Sequence, residues 1–490
     1  MEKITNLQKQ RAAIEQGGNA NGEKTLARKR VEMLLDEGSF IETGAFVVGK
    51  NNEEAYADGV VTGYGTIGLR PVCIFSQDLA VIGGSLGEMH AQKIAKLIDF
   101  ASKTGTPVVG ISDTMGLRLN EGLDALDGLG QILTKLSLNS GVIPFVNVVL
   151  GNLSGIASCI STISDFTFMV EGKSQMTMNG PMVVKGNTNI DVSELGNATF
   201  HSEESGICNF KYQDEASCLE GVKKLLEYLP DNNLSDTPYI ESTDDINRIS
   251  LNLNAMCENG ISDVKDVIKE IVDNGEFFES QSDYAKNIVT GFAHLNGTSV
   301  GIVANNGNLN VKALKKATRF VTFCDSFNIP VITFTNAYEF DASLCQEKNS
   351  VITYASKLIM AYAEATVPKI NVVLDKACGG AYLVMGSKHI GSDFTLSWAG
   401  AEISVMNSTS IANVLYDEEI SNSENPQSTR DAKANEYKTM YANPFEAAKK
   451  GYVDDIVEPD STRPVLISAL EILLSKRETR PSKKHSGVNL

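Results

Sequence analysis

The chain has 490 residues, too many for one compact core, and at about 150 residues per domain its length admits two or three domains. An apolar share of 42% with 21% charged residues excludes disordered, collagenous and coiled-coil classes. Lys plus Arg number 43 against 61 Asp plus Glu, and the net charge of −18 disfavours nucleic acid or an anionic membrane as the main partner.

Residues 1–45 are polar, and Met33-Leu34-Leu35-Asp36-Glu37-Gly38 predicts an exposed amphipathic helix stopped at a glycine, an arm that wraps another body. No apolar leader opens the chain and no run of about 18 apolar residues interrupts it, so a soluble, cytoplasmic protein is expected. Short β-rich runs follow at 60–65 and 71–76. A helix is predicted over 86–103, with Ile94, Leu97, Ile98 and Ala101 on one face, then apolar strands at 107–112 and 145–150. Continuous apolar strands separated by helices predict an α/β arrangement with the sheet covered on both faces.

The second half repeats this order. Ile288-Val289-Thr290-Gly291-Phe292 echoes Val60-Val61-Thr62-Gly63-Tyr64, and Asp393-Phe394-Thr395 echoes Asp165-Phe166-Thr167. Both echoes lie 228 residues apart (291 − 63 and 393 − 165), which indicates an internal duplication and two domains, 1–245 and 246–490. The acidic, Asn-rich stretch 230–248 reads as the linker, and 421–435, rich in Ser and Asn, as an exposed loop. The eight cysteines are scattered without a C-x-x-C pair; they read as buried reduced thiols, and no metal site is expected.

Glycine carries the chemistry in this sequence. Gly83-Gly84-Ser85-Leu86-Gly87 precedes a helix, while Gly116, Gly155 and Gly379-Gly380 each follow a predicted strand. At such strand-to-helix turns, peptide N–H groups and the positive end of a helix can hold an oxyanion without any side chain. Helix capping or close packing is the alternative reason for each glycine. Dinucleotide, P-loop and nucleophile-elbow signatures are absent. The five histidines are dispersed, and Glu171 and Glu402 read as buried carboxylates satisfied by hydrogen bonds.

Several ordered segments resemble biotin-dependent acyl-CoA carboxyltransferases. In the first half these are residues 83–94, Ser112-Asp113 through Arg118 with Asn120-Glu121-Gly122, and residues 165–172. In the second half they are residues 320–330 and 364–370, Gly379-Gly380-Ala381-Tyr382, Ser387-Lys388-His389, Ala401-Glu402-Ile403, Gly451-Tyr452-Val453-Asp454-Asp455 and Lys483-Lys484-His485-Ser486-Gly487. The resemblance spans about residues 25–490. It implies an α/β fold made of two tandem crotonase-like domains of ββα superhelix type, assembled as a hexamer, a trimer of dimers with shared active sites. It also implies an acyl-CoA substrate on the first domain and biotin, carried on a separate protein, on the second. Partners would be a biotin carboxyl carrier with biotin carboxylase or membrane decarboxylase subunits.

On that resemblance the oxyanion donors are expected at Met115, Gly116, Gly155, Ile156, Gly379, Gly380 and Ala381. Substrate contacts are expected at Gly83, Gly84, Ser85, Lys93 and Arg118, the last two being candidates for the CoA phosphates. Asn336, Tyr338, Glu339 and Phe340 would border the biotin. The sequence departs from the family at Met115 and Ile156, where glycines are replaced, and throughout 336–343, which bears on biotin docking. Two alternatives stand beside a carboxyltransferase subunit: a non-catalytic or weakened scaffold subunit, and a biotin-independent crotonase-type CoA enzyme. Neither the acyl-CoA nor the direction of transfer is legible.

Overall fold

The computed structural model describes residues 2–18, 22–49, 52–180 and 194–483. The tail motif therefore lies, from Lys484 onward, outside the described residues. The chain divides into two compact units, Met1–Ser235 and Asp236–Leu490.

The first unit is built on one seven-stranded sheet: β1 (Ile41–Thr43), β2 (Val60–Ile67), β3 (Arg70–Gln77), β4 (Val108–Ser112), β5 (Phe145–Val149), β6 (Phe166–Val170) and β7 (Phe210–Tyr212). These strands neighbour one another in chain order. Pairings β1–β2 and β2–β3 are antiparallel, and every later one is parallel. Helix Glu88–Thr104 crosses from β3 to β4 and buries Ile94, Leu97, Ile98 and Ala101, the face expected from their spacing.

The second unit repeats that plan with β8 (Phe277–Ser280), β9 (Ile288–Leu295), β10 (Thr298–Asn305), β11 (Val331–Ala337), β12 (Lys369–Cys378), β13 (Phe394–Trp398), β14 (Glu402–Ser404) and β15 (Asp455–Val457). The sheet runs β8-β9-β10-β11-β12-β13-β15, with β14 also paired to β12. Again the first two pairings are antiparallel and the rest parallel. The register agrees as well, Gly63 facing Ile74 and Gly291 facing Ile302.

The echoed glycines have a packing cause. A Cβ on Gly63 would collide with the carbonyl oxygen of Ile41, and one on Gly291 with that of Phe278. In both units the edge strand crosses directly over a glycine of its neighbour.

Four expectations are corrected. Helix Leu26–Leu34 is no arm: it packs into the first unit, and its Arg30 is buried, donating to Asp113, Glu215 and the Leu150 carbonyl. The helix Glu2–Glu15 before it is exposed apart from Ile14. The linker is divided between the units: Asn232 donates to Gly105 O and Asn233 N–H to Val142 O in the first, whereas Ile240 N–H donates to Gly297 O and Arg463 to Asp245 O in the second, so the division falls before Asp236. The stretch 421–435 is largely helical: Asn425 caps helix Pro426–Tyr441, with proline in its first turn. Finally, Cys345 is exposed and Cys159 and Cys257 are half-buried, while the other five thiols are buried.

Candidate active site

In the first unit the loops after β3, β4 and β5 meet at the carboxyl ends of their strands, where ligands of open parallel sheets gather. They are laced by main-chain bonds. Met115 N–H donates to Gly83 O at 3.0 Å, Leu86 N–H to Gly116 O at 2.9 Å, Arg118 N–H to Leu86 O at 2.9 Å and Thr114 N–H to Asn152 O at 2.9 Å. Gly83 and Gly84 have φ of +62° and +58°. The Met115 side chain, 77% exposed, lies over Gly83, where a Cβ would come within 2.6 Å of its sulfur.

This lacing alters the expected donor set. The N–H of Met115 is spent on Gly83, and that of Gly116 donates to Thr114 Oγ1 at 3.0 Å, so neither faces outward as an oxyanion donor. Gly155, with φ +75°, and the 43% exposed Ile156 open the 3₁₀ turn Gly155–Ser158 that leads into helix Cys159–Ile163. Their N–H groups lie in the first turn of that 3₁₀ segment, where the helix itself offers no acceptor. Of the donors expected in this unit, Gly155 and Ile156 are the two that this lacing does not engage.

Lys93 and Arg118 are also placed differently from the expectation. Lys93 is buried and donates to Ala57 O at 2.7 Å and to Val60 O; burial pushes its pKa down to about 8. Arg118, 5% exposed, donates to Asp58 and Glu121, each at 2.7 Å, and to Ser85 O at 2.9 Å. Burial raises the Asp58 carboxyl, against the pull of Arg118. Both cations therefore hold loops together: both side chains are buried, Arg118 between two carboxylates and Lys93 on main-chain carbonyls. Ser85, buried, turns its hydroxyl to Ile82 O at 2.7 Å.

In the second unit, Gly379 (φ +55°) and Gly380 begin helix Gly379–Val384 at the end of β12. The N–H groups of Gly379, Gly380 and Ala381 lie in its first turn, where the helix offers no acceptor. The two glycines line a cavity of about 650 Å³, walled by Tyr382, His389, Tyr437, Tyr441 and Tyr452. His389 packs against Tyr382 and Tyr452 with ring centroids 5.9 and 4.7 Å apart. These rings come from distant segments, and glycine spacing alone does not reveal them.

The loop that departs from the family is tied to β12. Asn336 N–H donates to Asn305 Oδ1 at 2.8 Å, and Lys376 N–H donates to Asn336 Oδ1 at 3.2 Å. Tyr338 faces the Lys376 ammonium at 5.6 Å, and Glu339 accepts from Asn407. Phe340 covers Gly380, whose Cβ, if it had one, would lie 3.2 Å from the ring. Glu402 accepts from Lys376 at 2.9 Å and from Ser408 Oγ at 2.7 Å. Burial would raise its carboxyl, but these bonds hold it below its ordinary value. Glu171 accepts from Thr199 at 2.5 Å.

Two repeated sheets each carry a glycine turn that opens a helix at the end of a parallel strand, the kind of turn that suits an enzyme holding negative charge with its backbone. The chain belongs to the carboxyl transferase domain family, whose pattern it matches over residues 19–488. It is 40% identical to the methylmalonyl-CoA decarboxylase subunit alpha of Propionigenium modestum, over 100% of this chain and 99% of that one. It is 42% identical to the propionyl-CoA carboxylase carboxyltransferase subunit of Haloferax mediterranei, over 95% and 94% of the two chains. Transcarboxylase 12S, solved as a hexamer with methylmalonyl-coenzyme A and methylmalonic acid bound, superposes with a TM-score of 0.93 at 39% identity, covering 99% of this chain and 97% of that one. The chain is an acyl-CoA carboxyltransferase of the biotin-dependent class.

Proposed function

We propose that this chain is the carboxyltransferase subunit of a biotin-dependent complex, moving a carboxyl group between carboxybiotin and the α-carbon of a short acyl-CoA. The two units are read as crotonase-like domains, the first serving the acyl-CoA and the second the biotin. The relatives' names support both the carboxylating and the decarboxylating direction. A homohexamer built from dimers, served by a biotin carboxyl carrier and by biotin carboxylase or membrane decarboxylase subunits, is the matching assembly.

The observation that carries this reading is the pair of N–H groups at Gly379 and Gly380 beside an aromatic cavity. The cavity has room for a fused bicyclic ring, and the missing Cβ at Gly380 keeps its floor open beneath Phe340. When bound there, carboxybiotin supplies the carboxyl group. The chain's part is to hold oxygen: Gly379 and Gly380 donate to the ureido oxygen, which increases in charge as the carboxyl departs. Gly155 and Ile156 would donate to the thioester oxygen of the acyl-CoA, where negative charge collects as the α-carbon gives up its proton to N1 of biotin in carboxylation, or its carboxyl to that nitrogen in the reverse direction. One such donor is worth about 3 kcal/mol in the transition state. Gly83, Gly84 and Ser85 wall the acyl side, and Met115 over Gly83 narrows it.

Gly380→Val tests the reading, because the added side chain meets Phe340 and fills the floor. Transfer should fall by about 100-fold or more while the oligomer persists on gel filtration. Unchanged turnover would remove the second donor set. Calorimetric titration with methylmalonyl-CoA and with free biotin separates a working subunit from a scaffold: binding of the first without the second would sink the carboxyltransferase role.

A further inference from the structure

Two buried asparagines interrupt otherwise apolar strands, and they occupy equivalent positions. Asn147 lies in β5 between Val146 and Val148, and Asn371 lies in β12 between Ile370 and Val372; both are fully buried. Asn147 is paired across the sheet with Gly110 and Thr167, Asn371 with Thr333 and Thr395. A polar amide in the middle of a parallel sheet persists only where its hydrogen bonds are made.

Those bonds follow one plan. Ser112, two residues beyond Gly110, donates its hydroxyl to Asn147 Oδ1 at 2.8 Å. Thr335, two residues beyond Thr333, stands 3.0 Å from Asn371 Nδ2 and accepts from it. The rest of each amide reaches the helix that carries a glycine turn. Asn147 Nδ2 donates to Ser161 Oγ at 2.6 Å, and Asn371 Nδ2 donates to Met385 O at 2.6 Å and to Gly386 O at 3.2 Å. Ser161 and Met385 each lie six residues beyond their turn glycine (161 − 155 and 385 − 379). In both units one planar amide ties a neighbouring strand to the far end of the helix whose first turn presents the peptide donors. An aspartate in its place would lack the donating half, and a leucine would lack both halves.

We propose that Asn147 and Asn371 are positioning residues, Asn147 setting the Gly155–Ile156 donors on the acyl-CoA side and Asn371 the Gly379–Gly380 donors on the biotin side. This rests on the reading of those turns given under the proposed function. A misplacement of about 1 Å is enough to cost up to about 100-fold in rate.

The test uses the full-length oligomer with methylmalonyl-CoA and free biotin as the two substrates, comparing Asn147→Asp, Asn371→Asp and Ser161→Ala. The last removes the helix end of the Asn147 bond without touching the strand, and keeps the proposal testable if a buried aspartate fails to fold. Asn147→Asp and Ser161→Ala should each lower kcat/KM for methylmalonyl-CoA about 10- to 100-fold, with KM for biotin within about twofold of the parent. Asn371→Asp should do the reverse. Ser161→Ala with an unaltered KM and kcat, or losses that fall equally on both substrates in step with Tm, would overturn the proposal. A crossed pattern, Asn371→Asp acting on methylmalonyl-CoA and Ser161→Ala on biotin, would support positioning while overturning the assignment of sides.

Discussion

The Lys316 ammonium donates to the carbonyl oxygen of Ile288 at 2.9 Å, and Lys93 makes the corresponding bond to Val60, the first residue of the equivalent strand. Lys316 also donates to Gln281 O at 2.8 Å and Tyr284 O at 3.0 Å, so three carbonyls depend on it, whereas Lys93 serves two. Burial pushes Lys316, like Lys93, down to about 8.

Replacing either lysine with methionine strands those carbonyls at about 1–3 kcal/mol each, partly offset because no charge is then buried. Urea denaturation should therefore show Lys316→Met to be less stable than Lys93→Met. The opposite order would break the link between stability and the carbonyls served.

Arg118 gives a sharper contrast. Its removal leaves Asp58 and Glu121 buried and facing each other, at a cost of about 3–5 kcal/mol. Arg118→Met should lower Tm strongly and affect CoA and dephospho-CoA substrates alike. A stable variant with KM raised only for the 3′-phosphorylated CoA would restore a phosphate-binding role.

Gly83→Ala combines a left-handed backbone with a clash against the Met115 sulfur. Stability should drop by about 1 kcal/mol from the backbone term alone, and KM for acyl-CoA should change. Adding Met115→Ala relieves the clash but leaves φ strained, so the double variant should recover only part of the loss. Strict additivity in a double-mutant cycle would show that the two residues do not touch.

Glu402 predicts an acid dependence. Its folded pKa is held below the ordinary 4.5, so the unfolded chain binds the proton more readily. The stabilisation is present above about 4.5 and is lost as pH falls through the lower folded value. Tm should drop more between pH 6 and pH 4 in the parent than in Glu402→Gln. Equal drops would detach Glu402 from the effect.

Much of the architecture was legible because apolar strands and a repeated Val-Thr-Gly-aromatic motif are strong local signals. The Gly63 and Gly291 positions were visible as echoes, although only packing shows the crossing carbonyls that require them. The helix Pro426–Tyr441 was hidden because Ser and Asn suit loops and caps equally, and Asn425 is a cap. Lys93 and Arg118 look like phosphate ligands in sequence because a side chain's charge is local, whereas, Glu121 apart, the carbonyls and carboxylate that absorb it arrive from residues 33 to 60 positions away. The same holds for the donors at Met115 and Gly116, whose partners are fixed by the lacing of loops. The turn glycines themselves stood out, but the aromatic wall drawn from Tyr437, Tyr441 and Tyr452 did not.

Because each sheet lists its strands in the order of synthesis, a newly made strand finds its partner in the one just before it. Each parallel pairing closes a crossover of a few dozen residues, Phe75 to Gly110 for example, but no strand has to wait for one made later in the chain. The first unit can therefore complete its sheet while the second is still emerging from the ribosome, at about 5–20 residues per second. Two nearly equivalent sheets in one chain invite strand exchange between copies, and this head start in time is a built-in protection against it.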